Sequence, residues 1–129
     1  MVEQQDWGTF EVPTQLVTSL QANGMMHPTE VQARSLVHLQ SHVDMVIAAR
    51  TGQGKTLCFG IPILDLCVKK LQKARENGVE KPSLDGVKGL ILSPTRELAI
   101  QIKDMLEAVV PVEFQEEIKV AALVGGMSI

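Results

Sequence analysis

Residues 49–56, Ala-Arg-Thr-Gly-Gln-Gly-Lys-Thr, decide the fold of this chain. An apolar run over residues 44–49 leads into them, and an amphipathic run that begins at Lys55 leads out. A strand, a glycine-containing loop and a helix, in this order, are the context that a phosphate-binding loop requires. The stretch therefore predicts a site for the phosphates of a nucleoside triphosphate at a strand–helix junction.

The chemistry of this loop follows from its residue types. Glycine at positions 52 and 54 lets the backbone approach a ligand with no Cβ in between, and backbone N–H groups at the start of the helix then face a polyanion. In this pattern Lys55 reaches the β and γ phosphates, and the Thr56 hydroxyl binds Mg²⁺. Ala49 departs from the general G-x-x-x-x-G-K-[ST] pattern. The alternative is a glycine-containing turn that starts a surface helix, with Lys55 solvated.

The composition is that of an ordinary globular protein and limits the classes of partner. The 129 residues fit one domain or part of one, and 45% are apolar and 21% charged. A net charge of −3 argues against nucleic-acid binding through a broadly basic surface, but it leaves room for a local basic site. The longest apolar run, residues 57–64, is too short to span a membrane. Cys58 and Cys67 lie too far apart on one helix for a disulfide, which indicates buried, reduced thiols.

Hydrophobic periodicity divides the chain into alternating helices and strands. It predicts helices over residues 14–23, 30–40, 55–71 and 95–110, and strands over 44–48, 87–92 and 118–124. Residues 1–13 are predicted to be extended, and residues 73–86 to form an exposed loop with solvated charges. Pro62 is predicted to kink its helix. The expected fold class is α/β, a parallel sheet with helices on both faces that is truncated after about three strands. The buried stripe of the last helix is predicted to be Leu98, Ile102, Met105 and Val109.

A second candidate site lies in residues 28–32, Pro-Thr-Glu-Val-Gln. The Gln32 amide offers a donor and an acceptor in one plane, so it can pair with N6 and N7 of adenine. Such a contact discriminates by about 1–3 kcal/mol, and guanine presents acceptors at both positions. The same residues also form a capping box, in which Gln32 folds back to the backbone N–H of Thr29. The nearby phosphate loop favours adenine recognition, with the cap as the alternative.

Two further segments follow the second and third predicted strands, where ligands collect in open α/β sheets. Residues 94–99, Pro-Thr-Arg-Glu-Leu-Ala, begin a helix, and Thr95 and Arg96 could hold a phosphodiester oxygen there. The alternative is a helix start in which Arg96 pairs with Glu97 and binds no ligand. Gly125 and Gly126 would let backbone amides approach a phosphate, and a plain turn is the alternative.

Together these segments resemble the motifs of the DEAD-box RNA helicase family. Residues 28–32 resemble its adenine-recognising Q motif, and residues 49–56 resemble its phosphate loop, in which Ala at the first position is usual. Residues 94–99, with Gln101, resemble its motif Ia, and residues 125–126 its glycine doublet. The resemblance implies a RecA-like P-loop domain, ATP and Mg²⁺ as cofactors, and RNA as the partner. Residues 90–99 and 123–128 are similar to a nucleolar branch of large-ribosomal-subunit assembly, which implies a nuclear or nucleolar location, with the cytoplasm as the alternative.

The resemblance also assigns roles to individual positions. Lys55 and Thr56 are the catalytic candidates, and Thr56 is the Mg²⁺ ligand. Trp7 matches the upstream aromatic residue that stacks on the base, with Phe10 as the competitor, and such stacking contributes about 1–3 kcal/mol. RNA-backbone contacts, which carry no sequence information, fall on Pro94, Thr95, Arg96 and Gly126. The cofactor-binding positions are Trp7, Thr29, Gln32, Thr51, Gly52, Gln53, Gly54, Lys55 and Thr56.

Several family motifs do not occur in these 129 residues. The Asp-Glu-Ala-Asp and Ser-Ala-Thr motifs are missing, as is a second RecA-like domain with its transition-state arginines. We therefore expect residues 1–129 to be the N-terminal part of the first RecA-like domain of an ATP-dependent RNA helicase. This part alone is expected to bind nucleotide weakly and not to hydrolyse it. The alternative is a non-catalytic, nucleotide-gated RNA-binding scaffold, and the absence of an Asn-Lys-x-Asp guanine signature disfavours a GTPase.

Overall fold

The computed structural model describes residues 5–38, 41–51 and 54–126. Four α-helices account for most of its regular structure: α1 (Thr14–Ala22), α2 (Glu30–Leu36), α3 (Lys55–Glu76) and α4 (Arg96–Val109). Short 3-10 helices lie at Trp7–Phe10 and Val112–Phe114. Each predicted helix is present, although α2 ends earlier and α3 ends later than the sequence indicates.

The central helix is α3, which packs against the other three helices. It continues without interruption through Pro62, so the proline does not end the helix. Gly60 allows α4 to approach closely, because a Cβ at this position would overlap with Cδ2 of Leu106. The buried face of α3 is the predicted apolar stripe, which consists of Leu57, Ile61, Leu64, Val68 and Leu71.

The core of the protein is mainly aliphatic and includes three aromatic side chains: Trp7 and Phe114, which are fully buried, and Phe10. Trp7 and Phe10 belong to the first 3-10 helix, which Asp6 caps by accepting a hydrogen bond from the Gly8 N–H at 2.9 Å. The prediction of an extended segment is therefore wrong here. A short helical turn brings both aromatic rings to the same side of the chain, and an extended backbone would point neighbouring side chains to opposite sides.

The predicted parallel sheet is not formed within the described residues. Residues 44–48, 87–92 and 118–124 contain no β-strand, and no backbone hydrogen bonds join the second segment to the third. The prediction rested on apolar, β-branched runs, and such runs report partial burial more than they report strand pairing. A β-strand also needs backbone hydrogen bonds to a neighbouring strand in register. The second and third segments form no such bonds with each other.

The third segment nevertheless alternates between covered and exposed residues. Ile118, Val120 and Ala122 are covered, whereas Lys119 and Leu123 are exposed. Ile118 belongs to the hydrophobic core and Val120 packs against it. In the second segment, Gly89 lies against α3, because a Cβ there would come within 2.7 Å of Ile63. The prediction of helices on both faces is not confirmed, because many apolar side chains of the three segments are open in the described part of the chain. Those that are 80% exposed or more are Val46, Val87, Leu90, Leu92 and Leu123.

The predicted exposed loop is present over residues 77–86, which are mostly exposed, whereas residues 73–76 form the last turn of α3. In this turn the Arg75 guanidinium lies 4.5 Å from the ring centroid of Phe114. Arg75 also donates to the carbonyl of Glu113 at 3.1 Å and lies 3.5 Å from the carboxylate of Glu117. Simple solvation is therefore wrong for this charge. Its partners lie about forty residues further along the chain, beyond the reach of a local pattern.

The buried stripe of α4 is also narrower than predicted. Ile102, Leu106 and Val109 are buried, whereas Leu98 and Met105 are 39% and 40% exposed. α4 packs mainly against α1 and α3, so a single strip of its surface is covered. The prediction was wrong for Leu98 and Met105 because sequence spacing does not say how wide the covered strip is.

Candidate nucleotide and RNA-backbone site

The Gln32 side chain is buried between the start of α2 and the start of α3. Its Oε1 accepts a hydrogen bond from the Thr29 N–H at 2.9 Å, and Thr29 Oγ1 accepts from the Gln32 N–H at 3.3 Å. This reciprocal pair is the predicted capping box. The other end of the amide, Nε2, donates to the carbonyl of Gly54 at 3.0 Å. Gln32 thus caps α2 and also connects it to the phosphate loop.

Capping by Gln32 does not preclude adenine recognition. A Gln amide has two N–H donors and two acceptor lone pairs. The contacts to Thr29 and Gly54 use one donor and one acceptor, so one of each is left for the edge of a base. The side chain is only 3% exposed, so little of this edge is open in this conformation. The two alternatives drawn from the sequence are therefore compatible in hydrogen-bonding capacity, and adenine recognition stays a prediction.

Gly54 meets two requirements that only glycine satisfies. Its φ of +81° lies in the left-handed region, where a Cβ is strained. A Cβ at this position would also overlap with Nε2 of Gln32 and would lie 3.3 Å from the Cδ of that side chain. The loop backbone thus passes directly over the Gln32 amide, and this close approach brings the two predicted motifs together.

The start of α3 is suited to an anion. Lys55 is exposed at the first helical position, Thr56 is half-buried at the second, and the first turn contains no acidic residue. The unpaired N–H groups and the helix dipole make this end electropositive. Thr51, which precedes the glycines of the loop in the sequence, is exposed. The predicted cofactor-binding residues Gly52 and Gln53 lie outside the described residues.

The start of α4 is the second candidate anion site. Thr95 caps the helix, its Oγ1 accepting from the Leu98 N–H at 3.1 Å, and the Ser93 hydroxyl donates to the Thr95 carbonyl at 3.3 Å. Pro94, Thr95 and Arg96 are all exposed. The capping role uses the Thr95 hydroxyl as an acceptor, so its O–H proton is available to a phosphate oxygen.

Arg96 lies beside the glycine doublet, about thirty residues further along the chain. A Cβ on Gly126, whose φ is +85°, would lie 3.2 Å from Nη1 of Arg96, and one on Gly125 would lie 3.7 Å from Nη2. The structure therefore brings these two predicted RNA-contacting segments together. Among the described residues no ion pair involves Arg96, so the alternative pairing with Glu97 is not formed. The planar guanidinium remains able to bind a phosphate through two hydrogen bonds.

Trp7 is not placed at an open nucleotide site. It is 0% exposed, and its indole Nε1 donates to the carbonyl of Met25 at 3.0 Å. Phe10 is buried as well. Neither ring offers a free face to a base in this conformation, so the stacking role stays a prediction that requires one of them to move. What the structure does show is that Trp7 anchors the segment leading into α2.

One contact in this region was not predicted from the sequence. The Cys58 thiol donates to the carbonyl of Gly54 at 3.8 Å, the same oxygen that Gln32 contacts. The position of Cys58, four residues after Gly54, was the available signal, because side chains on a helix lean back toward its N-terminal turn. The sequence does predict a buried thiol, but that prediction did not include its hydrogen bond to the Gly54 carbonyl.

The described part of the chain lacks some other kinds of site. It contains no cluster of three or more His, Cys, Asp or Glu side chains that could hold a metal ion. The assignment of Thr56 as a Mg²⁺ ligand stays a prediction from the sequence. Within the same ranges, no helix combines the length and the apolar character needed to cross a membrane.

The chain is similar to part of one solved helicase structure. The chain superimposes on the crystal structure of the RNA helicase Prp28 from Chaetomium thermophilum bound to ADP, with a TM-score of 0.71 and 28% sequence identity. The match covers 99% of this chain and 29% of that one.

Curated relatives are similar to this chain over most of its length. The ATP-dependent RNA helicase mak5 of Aspergillus clavatus is 36% identical over 95% of the chain, and MAK5 of Saccharomyces cerevisiae is 34% identical over 88%. The chain spans only 16% and 14% of these relatives. The family model for the DEAD/DEAH box helicase matches residues 29–129. The chain belongs to the DEAD/DEAH box helicase family, as this match shows together with the phosphate-loop sequence and the capping glutamine.

Proposed function

We propose that this chain is the ATP-binding part of an ATP-dependent RNA helicase, the N-terminal part of its first RecA-like domain. The single observation that carries the proposal is the hydrogen bond from Gln32 to the carbonyl of Gly54. It joins a side chain able to pair with adenine to the loop able to bind phosphates. A base and its phosphates would therefore meet one continuous surface at the start of α3.

Different residues of this surface would bind different parts of the nucleotide. Gln32, held by Thr29, would pair with the adenine edge through its remaining N–H and lone pair. Gly54 and the N–H groups at the start of α3 would bind phosphate oxygens, and Lys55 would neutralise their charge. The Thr56 hydroxyl would be one ligand of a Mg²⁺ ion whose other ligands include phosphate oxygens and water. The further roles assigned to Thr51, Gly52, Gln53 and Trp7 belong to the same proposal.

RNA would bind at the start of α4 and the glycine doublet. The exposed guanidinium of Arg96 beside Gly126 supports this, because close backbone and a planar cation together suit a phosphodiester. Pro94 and Thr95 complete the exposed edge of this surface. Such contacts grip the backbone and do not distinguish sequences, as expected for an enzyme that acts on many duplexes.

The activity of the whole protein goes beyond this chain. Hydrolysis of ATP and remodelling of RNA duplexes would require the Asp-Glu-Ala-Asp motif and a second RecA-like domain, which these residues lack. We propose that the chain alone binds adenine nucleotide without appreciable turnover. The relatives named MAK5, together with the sequence similarity to the nucleolar branch, support a role in ribosome biogenesis and a nucleolar location.

Equilibrium binding of a fluorescent ADP, with ATP and GTP as competitors, tests this proposal. We expect adenine nucleotides to compete and GTP not to compete. Lys55→Ala should weaken binding of both ADP and ATP. Gln32→Glu keeps the acceptor that caps α2 but removes the N–H donor, so it should lose the adenine preference while Gln32→Ala loses both the preference and the cap. Equal competition by GTP, or an unchanged preference in Gln32→Glu, would refute adenine recognition by Gln32.

A further inference from the structure

The Gly54 carbonyl is the shared acceptor of three donors. The backbone N–H of Leu57 lies 3.2 Å away, Nε2 of Gln32 lies 3.0 Å away, and Sγ of Cys58 lies 3.8 Å away. Two of the three are side chains, and they come from different helices, α2 and α3. Both side chains are buried, and hydrogen bonds are electrostatically stronger in such surroundings than in water.

This arrangement differs from the start of α2, where the Thr29 carbonyl accepts from the backbone N–H of Ala33, four residues on, at 2.8 Å. At the start of α4, the Thr95 carbonyl accepts from the backbone N–H of Ala99, four residues on, at 3.1 Å, and also from the Ser93 hydroxyl at 3.3 Å. At the start of α3, the corresponding contact from four residues on is made by a side chain, the Cys58 thiol. The orientation of the Gly54 carbonyl thus depends on side chains as well as on the backbone.

The orientation of this carbonyl also sets the direction of the next N–H group. The peptide unit is planar, and in a trans peptide the C=O and the following N–H point in opposite directions. The carbonyl of Gly54 points into the protein, toward Gln32 and Cys58. The N–H of Lys55 consequently points outward from the start of α3, where the proposed phosphates bind.

We propose that Cys58 is a positioning residue for the phosphate loop: its thiol, with the Gln32 amide, holds the Gly54 carbonyl so that the Lys55 N–H faces the phosphates. The inference rests on the proposed nucleotide site and names a residue that none of its motifs includes. Cys67 is the natural comparison, because it is buried on the same helix but packs within the apolar core cluster.

The first test compares three variants by fluorescent-ADP binding. Loss of one modest hydrogen bond corresponds to a weakening of about 2- to 10-fold, and this is the effect expected for Cys58→Ala. Cys58→Ser retains a donor and should bind within about twofold of wild type, whereas Cys67→Ala should not change the affinity. Equal weakening by Cys58→Ala and Cys67→Ala would mean a merely structural effect and would overturn the proposal.

A second measurement needs no nucleotide. The amide resonance of Lys55 in a ¹⁵N–¹H spectrum reports the orientation and exposure of this N–H directly. In Cys58→Ala we expect the resonance to shift, with the amides of Leu106 and Val109 unchanged. An unchanged Lys55 amide would overturn the role of Cys58. If instead wild type binds no ADP, the proposed function fails, and the amide measurement still decides whether Cys58 positions the loop.

Discussion

Nε2 of Gln32 donates to the carbonyl of Gly54 across 3.0 Å, and the two residues lie 22 positions apart in the chain. The contact is close enough that a Cβ on Gly54 would overlap with the Gln32 amide. The residues proposed for base recognition and for phosphate binding are therefore in direct contact without a ligand. A change at either residue should disturb both.

Gly54→Ala should weaken fluorescent-ADP binding by more than tenfold, because the added Cβ forces the loop away from Gln32. The left-handed φ alone costs about 1–2 kcal/mol of stability. Gly78 is a matched control, since its φ is +86° and no atom lies within 4 Å of the position of a Cβ. Gly78→Ala should lose similar stability and keep full ADP affinity. Equal affinities in the two variants would show that the overlap with Gln32 has no consequence.

Arg96→Ala should weaken binding of single-stranded RNA to a similar extent for every sequence, and it should reduce the slope of log affinity against log salt by about 1. Arg96→Lys should recover only part of the affinity, because an ammonium group cannot bind a phosphate through two parallel hydrogen bonds. Lys103 lies on the same helix but is already paired with Glu107 at 3.1 Å. Lys103→Ala is therefore the control, and a loss equal to that of Arg96→Ala would indicate general charge attraction only.

Helix starts were predictable from the sequence because their signals are local. Thr29 and Thr95 each lie three residues before the backbone N–H that they cap, and Gly54 directly precedes α3. Burial of Trp7 against Met25 and the bonds of Arg75 depend on residues that the fold brings together from afar. The prediction of three strands was wrong for the same reason. A strand forms only when another segment, often distant in sequence, pairs with it.

Arg75→Ala should destabilise the folded chain by about 1–2 kcal/mol. It removes a hydrogen bond to the Glu113 carbonyl and a cation–π contact with Phe114, each of which contributes about 0.5–1.5 kcal/mol at a partly exposed position. Lys73 lies in the same last turn of α3 and is exposed, so Lys73→Ala should change the free energy of unfolding by less than about 0.5 kcal/mol. Urea unfolding of both variants tests this, and equal midpoints would contradict it.

Cys67 should make stability depend on alkaline pH. Burial raises the pKa of its thiol above the ordinary value of 9.0, although Lys88 and Lys70 act in the opposite direction. Below pH 9.0 both the folded and the unfolded thiols are protonated, so the contribution to stability is fully present. Above that pH the unfolded thiol loses its proton first, which favours unfolding. The free energy of unfolding should thus decline more steeply above pH 9.0 in wild type than in Cys67→Ala, and parallel curves would contradict the assignment.

Leu123 and Ile118 test whether one face of the strand-like segments is open. They lie on opposite sides of residues 118–124, with Leu123 80% exposed and Ile118 6% exposed. Leu123→Ser should alter the free energy of unfolding by less than about 0.5 kcal/mol, because the side chain loses no packing. Ile118→Ala should cost about 2–5 kcal/mol, since it leaves a cavity against the helices. If Leu123→Ser proves as costly as Ile118→Ala in urea unfolding, something covers that face in solution, and a concentration-dependent midpoint would identify the cover as a second copy of the chain.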